Sequence, residues 1–293
     1  MVCSIELSVI IVNYNTSDLL VKCLHSVFLG TNQIMMEVIV VDNASSDSSK
    51  NKVRHIFPQV YLISNDENIG YAAAINIGLS IAKGKYLLVL NPDTELPPNA
   101  LSELLDFMEN NPKIGMISPK LIRSNGSLDQ ACNRRFPRRR DIIFHLFWLD
   151  RIFPKSKMFG YYTMAHVDES LPSEIDCIAG AFMLVSRKAV NEVGPMDERY
   201  FMYAEDVDWA FRFKQAGWMV FYYPQIEVLH HKRASTLQIA PLMLRQFYKS
   251  NYQYYEKYFK PVTPFYINWL IRFAFRIRMN ISLMIWRISG KWI

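Results

Sequence analysis

A chain of 293 residues is long enough to bury a full core, as one large domain or as two fused halves. Its 51% hydrophobic and 14% aromatic content excludes a disordered protein. The net charge of +6, with a pI near 9.0, suits acidic partners such as nucleotide phosphates, anionic lipid or nucleic acid. Cys3, Cys23, Cys132 and Cys177 form no Cys-x-x-Cys pair. They offer neither a zinc ribbon nor a disulfide framework, and fit a reducing compartment. The apolar segment near the N-terminus, Val9 to Val12, is strand-sized. No run of about 18 uninterrupted apolar residues predicts a spanning helix.

The first 120 residues read as repeating strand–helix units. Leu7 to Val12 is a β-branched strand, and Ser17 to Leu29 follows as a helix. Glu37 to Val41 is a second buried strand and Val60 to Ser64 a third. Gly70 to Ala82 is helical, and Tyr86 to Leu90 is the fourth strand. Pro97 to Asn110 reads as a helix with proline in its first turn, and Ile114 to Ser118 as the fifth strand. Apolar strands alternating with helices imply an α/β fold with a parallel sheet covered on both faces. Ligands bind such sheets beyond the carboxyl ends of the strands. Asn13, Asp42 and Asn91-Pro92-Asp93 all lie at those ends and are expected to meet in one crevice.

Beyond Lys120 the pattern changes. Arg134 to Arg140 holds five arginines, and Asp141 to Phe153 is rich in aromatic and aliphatic residues. A loop-like stretch runs to Ser173. Ala181 to Ser186 reads as a strand, Glu205 to Gln215 as a helix, and Trp218 to Tyr223 and Glu227 to His230 as two further strands. From Leu237 the chain reads as helical and aromatic to its end.

Several motifs carry chemistry, each beside a plainer reading. Asp42, at a strand end, suits hydrogen bonding to a base or ribose, whereas nearby Asp47 reads as a helix cap. Asn68-Ile69-Gly70-Tyr71 opens a helix with small residues, which suits phosphate approach or close helix–sheet packing. Asp93 is an oxygen donor of the kind Mg²⁺ or Mn²⁺ prefers, though Asn-Pro also favours a plain turn. Glu205, Asp206 and Asp208 crowd one helix start. That suits the helix dipole, but their mutual repulsion also suggests a base for proton abstraction. His230 reads as a metal ligand, a phosphate contact or a structural residue, and Lys232 and Arg233 as a phosphate clamp or surface charge. In the tail, Arg272, Arg276, Asn280 and Arg287 share one helical face, from which Arg278 departs. Aromatic and aliphatic residues fill much of the remainder. This pattern favours a helix in the membrane interface over nucleic-acid binding, with Arg134 to Phe153 as a second contact, against the plainer reading of a docking helix. No dinucleotide fingerprint, true P-loop or Gly-x-Ser-x-Gly elbow occurs.

Taken together, these motifs resemble the family-2 glycosyltransferases, inverting nucleotide-sugar enzymes of the GT-A fold, and are most similar to the rhamnosyltransferase-like branch. The match rests on Ser8 to Asn15, Val41 to Asp47, Asn68 to Ala72, Asn91-Pro92-Asp93, Gly180 to Met183, Asp197-Glu198, Phe201 to Trp209 and His230, in family order. The resemblance implies a mostly parallel sheet over residues 1–235, with a nucleotide-sugar half (1–120), an acceptor half (121–235) and a separate helical tail (236–293). It implies that Asn13, Asn15, Asp42, Asn68, Gly70 and Asn91 bind the nucleotide, that Asp93 and His230 bind Mg or Mn, and that Asp206 is the catalytic base. Glu205, Asp208 and Trp209 would serve the acceptor or support the site. Asn91 stands where the family's first metal-site acid falls, and Arg233 where this branch often has glycine. The implied partners are a nucleotide-diphospho-sugar, commonly dTDP-rhamnose, and a glycan or polyprenyl-diphosphate-linked acceptor of bacterial surface polysaccharide synthesis. The implied location is cytoplasmic, peripheral on the inner face of the cell membrane. A sugar nucleotidyltransferase would share the sheet but typically carries a glycine- and basic-rich loop where this chain has Asn13-Tyr14-Asn15-Thr16. A non-catalytic nucleotide-sugar-binding protein would not need Asp93, Asp206 and His230 together.

Overall fold

The structure, a computed structural model, describes residues 5–29, 34–137, 169–231 and 240–290, with 140–141, 144, 149–153, 156, 158–159, 161–162 and 164 between them. The expectations for Arg138, Arg139, most of Asp141 to Phe153, and Lys232 and Arg233 therefore fall largely outside the described residues.

One mixed sheet organises the molecule. Its first four strands are β1 (Leu7–Asn13), β2 (Met36–Asp42), β3 (Tyr61–Ser64) and β4 (Tyr86–Leu90). They are followed by β5 (Thr94–Glu95), β6 (Ile114–Arg123), β7 (Ser173–Ile175), β8 (Phe182–Ser186) and β9 (Met219–His230). The order across the sheet is β3-β2-β1-β4-β8-β6-β9-β5, with β7 also paired to β9. Strands β1 to β4 run parallel, in a register that places Asn13 beside Asp42 and Ile11 beside Leu90. β1 and β4 are buried throughout, as continuous apolar runs require when helices cover both faces.

Besides a four-residue turn of helix at Leu149–Ile152, the helices described are α1 (Ser17–Phe28), α2 (Ser49–Ile56), α3 (Tyr71–Ile81), α4 (Ala100–Asn110), α5 (Arg187–Val193), α6 (Glu205–Gln215), α7 (Ala240–Tyr258) and α8 (Phe265–Ser289). Asp47 behaves as a cap, accepting the Ser49 N–H in the first turn of α2 and the Ser17 N–H in that of α1.

Three expectations change. β3 is an edge strand rather than a buried one, with Tyr61 57% exposed. Helix α4 starts after both prolines, because Asn99 adopts a left-handed conformation (φ 65°) that resets the chain at Ala100. The two late strands are one, β9, whose pairing with β6 jumps from Tyr223 to Glu227 opposite Pro119 and Lys120. A bulge at Pro224 absorbs the missing donor. The direction of β8, antiparallel to both β4 and β6, makes the sheet a mixed one within the α/β fold expected.

The C-terminal helices pack on this body. Lys257 on α7 reaches Asp208 (2.5 Å) and Asp197 (2.8 Å), and Ser250 donates to the Met202 carbonyl (2.7 Å). Tyr248 and Ser282 join α7 to α8 through their hydroxyls at 2.8 Å. The resulting α7–α8 pair has its own small core around Leu244, Tyr255, Ile271 and Phe275.

Close approach of α3 to β1 depends on Gly78, where an added Cβ would collide with the Ile10 side chain, itself fully buried. Gly78→Val is expected to destabilise the fold by about 1–3 kcal/mol, the usual cost of overpacking. A lowered urea midpoint at unchanged slope would show it, and an unchanged midpoint would contradict the packing described.

Candidate active site

The carboxyl ends of β1, β2 and β4 open onto a cavity of about 460 Å³. Asn13, fully buried, donates to Asp42 Oδ2 (2.9 Å) and Ser45 Oγ (3.0 Å) and accepts from Thr16 (2.7 Å). Asp42 also accepts the Ser45 N–H (2.9 Å). Asn15 holds a left-handed backbone (φ 53°), and its side-chain oxygen accepts the Ser46 N–H (2.8 Å). These three residues therefore build the loops behind the cavity and do not line it. Its lining on this side comes from Val12, Tyr14, Asn43, Asn68 and Gly70. The Asn43 amide donates to Asn68 Oδ1 (3.0 Å) and to the Gly70 carbonyl (3.1 Å), a role the sequence reading did not assign to it. Gly70, at φ +90°, must be glycine, because a Cβ there would also press on the Phe201 carbonyl.

A second cluster forms around Asn91-Pro92-Asp93, all three of which line the cavity. The Tyr71 hydroxyl lies 3.0 Å from Asn91 Oδ1 and 2.9 Å from the Gly180 carbonyl. Asp93 faces His230, with Oδ1 3.4 Å from Nε2, and that buried oxygen has no hydrogen-bond partner. At 3.4 Å the contact is electrostatic rather than a well-formed hydrogen bond. His230 Nδ1 lies 2.9 Å from Asp129 Oδ2. Burial alone would lower the His230 pKa, but Asp129 and Asp93 outweigh it and raise it to about 9.

Asp93 and His230 fit a divalent cation. The orphaned carboxylate oxygen and the facing imidazole nitrogen supply two donors, and Asp129 orients the ring from its other nitrogen. A cation there would displace the proton that the two acids now stabilise on the ring. Among the described residues no group of three or more His, Cys, Asp or Glu side chains forms a closed metal cage. A site with few protein ligands leaves room for substrate phosphates, the usual magnesium arrangement.

The third cluster is the start of α6. Tyr203 (φ 69°) and Ala204 (φ 66°) are consecutive left-handed residues with side chains, a strained approach that aims the first turn of α6 at the cavity. The three acids there have separate surroundings. Asp206 Oδ2 accepts from Arg134 Nη2 (2.6 Å) and the Gly180 N–H (3.2 Å). Asp208 is fully buried, points away from the cavity, and receives Lys257, Arg212 (2.9 Å) and Tyr258 (2.8 Å). Glu205 lines the cavity with Oε2 buried and unpartnered. Burial first, and then the Asp206 charge, raises its pKa to about 8. Trp209 is fully buried and donates to the Gly194 carbonyl, so it supports the helix from behind.

Sequence reasoning missed Arg134, Asp129, Tyr71 and the cavity-lining residues of α7. Arg134 opens the basic run assigned to a membrane or nucleic-acid contact, yet it is buried against Asp206, Tyr162 and the Ile178 carbonyl. No local pattern separates it from the other arginines of the run.

A strand-end crevice that gathers a buried acid, an Asp–His pair able to accept a cation and a helix-borne carboxylate suits an enzyme acting on a phosphorylated substrate. Residues 8–194 match the family described as "Glycosyl transferase family 2". The chain is 32% identical over 262 residues to an N-acetylglucosaminyl-diphospho-decaprenol L-rhamnosyltransferase of Mycobacterium tuberculosis, covering 84% of this chain and 82% of that protein. It is 27% identical over 256 residues to the rhamnosyltransferase WbbL of Escherichia coli K12, covering 84% and 91%. In fold it is similar to the crystal structure of GalNAc-T7 with UDP, GalNAc and Mn2+, at TM-score 0.57 and 17% identity, over 78% of this chain and 44% of that one. The chain belongs to glycosyl transferase family 2, is rhamnosyltransferase-like within it, and is a glycosyltransferase.

Glu205 gives a pH test. Its raised pKa means the folded protein holds a proton there that the unfolded chain releases nearer 4.5. Stability from this group is complete below about pH 4.5 and is lost as pH rises towards about 8. Ionisation also sets a second negative charge beside Asp206. Transfer is therefore expected to decline as pH rises through about 8 in the wild type. Glu205→Gln, which stays neutral, should flatten that limb in a pH–rate profile. An identical alkaline limb in both proteins would count against it.

Proposed function

We propose that the chain moves a sugar, with L-rhamnose from dTDP-rhamnose the first donor to test, onto a polyprenyl-diphosphate-linked glycan during bacterial surface polysaccharide synthesis. The observation carrying this reading is that Asp206 and the Asp93–His230 pair line one cavity. Support comes from the Mycobacterium tuberculosis relative, named for L-rhamnosyl transfer to N-acetylglucosaminyl-diphospho-decaprenol, and from the Escherichia coli relative, named a rhamnosyltransferase.

The reaction is a single displacement with inversion. Asp206 takes the proton of the acceptor hydroxyl as its oxygen bonds the anomeric carbon, and the bond from that carbon to the diphosphate oxygen breaks. The nucleoside diphosphate leaves with the bonding pair. Arg134 and the Gly180 N–H fix the orientation of the Asp206 carboxylate. Asp93 and His230 would hold Mg²⁺ or Mn²⁺, which would supply positive charge to the departing diphosphate. Asn43, Asn68, Gly70 and Asn91 contact the nucleotide from the cavity wall, while Asn13, Asn15 and Asp42 shape the loops that receive it.

On this reading the protein works at the inner, cytoplasmic face of the membrane. Among the described residues no helix is long and apolar enough to cross a bilayer. The outer side of α8 exposes Tyr266, Trp269 (64%), Leu270, Phe273 (51%), Ile277 and Met284. Arg272, Arg276 and Arg287 are exposed on the same helix, whereas Arg278 is buried in the α7–α8 pair. An apolar stripe flanked by arginines suits the headgroup boundary of anionic lipid.

Two experiments test the reading. Nucleoside-diphosphate release across a donor panel, with a lipid-linked acceptor and with or without chelator, should single out one donor and stop when divalent cations are removed. No release with any donor would end the proposal. Asp206→Asn should lower transfer at least about 100-fold, the smaller end of general-base effects, and leave nucleotide affinity within about threefold. Near wild-type turnover would remove Asp206 from the mechanism.

A further inference from the structure

The cavity has a second wall that lies outside the residues matched by the family. It is formed by Met243, Phe247, Tyr248 and Tyr254 of α7 and Phe275 of α8, adjoining Tyr203. We propose that this wall is a subsite for the first isoprenyl units of the acceptor lipid, next to the place where the acceptor diphosphate sits. The proposal rests on the lipid-linked acceptor argued above.

The character of the wall carries the argument. Two of its polar groups are occupied by the protein itself. The Tyr248 hydroxyl is engaged by Ser282 at 2.8 Å, and the Asn251 amide donates to the Phe247 carbonyl at 2.8 Å. The surface left facing the cavity is therefore mainly hydrocarbon and ring face. A sugar would need directed hydrogen bonds there, whereas an isoprenyl chain needs only apolar contact. The wall is also rigidly set. Tyr203 and Phe247 pack edge to face with centroids 5.6 Å apart, Tyr252 packs on Phe275 at 5.4 Å, and Ser250 ties α7 to Met202.

Position supports the same occupant. The wall shares its cavity with Asp206, so a ligand resting on it has its head group close to the base. Helix α8 contributes Phe275 to the cavity and exposes Trp269, Leu270, Phe273 and Ile277 on its other side. One helix thus presents hydrocarbon both to the site and to the exterior. A chain anchored in lipid can remain on apolar surface while its diphosphate enters.

The test compares farnesyl diphosphate, below its micelle concentration, with inorganic diphosphate. Both are titrated calorimetrically into the full-length protein with Mg²⁺ and saturating dTDP, so that the donor side is filled. Farnesyl diphosphate should bind at least about tenfold more tightly, as burial of two or more methylenes predicts. Phe247 is partly buried and also packs on Tyr203, so Phe247→Leu, which keeps a bulky apolar side chain there, separates lost lipid contact from lost packing. Phe247→Ala should reduce that ratio about three- to tenfold, Phe247→Leu should restore most of it, and dTDP affinity should stay unchanged in both. Equal affinity for the two diphosphates in the wild type, or a ratio unmoved by Phe247→Ala, overturns the subsite. Failure of dTDP to bind would instead strike the donor assignment, and the diphosphate comparison would still be read on the same samples.

Discussion

Reversal of β8 within the sheet determines where the chemistry gathers. Leu90 at the end of β4 pairs with Phe182 at the start of β8, because the two strands run antiparallel. The residues just before β8 therefore lie against those just after β4, and the Asn91 N–H donates to the Ala181 carbonyl at 2.9 Å. Gly180, one residue earlier, offers its N–H to Asp206 and its carbonyl to Tyr71. Had β8 run parallel, Gly180 would lie at the far edge of the sheet, about 17 Å away for a five-residue strand.

With the edge assembled, one helix start separates three carboxylates by surroundings alone. Asp208 is matched by Lys257, Arg212 and two tyrosines, and serves as a buried anchor. Asp206 is held by a single guanidinium and faces the cavity. Glu205 has no partner for Oε2, and burial keeps it protonated. Crowding three negative charges into one turn would be costly if all were free. Here one is neutral and two are paired, so the repulsion read from the sequence is largely removed by residues distant in the chain. Helix dipole alone would have treated the three alike.

That distance in sequence explains what could be read beforehand. The strands and helices of the first half were legible because buried β-branched runs and helical spacing are local signals. Strand ends then pointed to Asn91, Asp93 and Asp42, and the acidic turn to Asp206. Pairing direction is not local, so the antiparallel β8 and the edge position of β3 were not visible. Nor was the partner of a charge: Arg134 lies 72 residues from Asp206 and Asp129 lies 101 residues from His230. Asn13 and Asn15 were placed at the right edge, yet their side chains are spent on loop hydrogen bonds that spacing cannot show.

The tail changes most between the two readings. Its aromatic and basic composition suggested a surface helix, and the outer face of α8 has that character. Yet α7 is fastened to the base-bearing helix through Lys257 and Tyr258 on Asp208, two residues from Asp206. Arg134 grips the same turn of α6 from the opposite side of the sequence. The left-handed backbone at Tyr203 and Ala204 costs on the order of 1–3 kcal/mol per residue and persists only where its surroundings over-determine it. Ser250 on the Met202 carbonyl and Phe247 against Tyr203 are among the contacts that do so. The C-terminal helices are thus part of what holds Asp206 in place, so contact of α8 with a lipid surface would bear, through α7, on the helix that carries this residue.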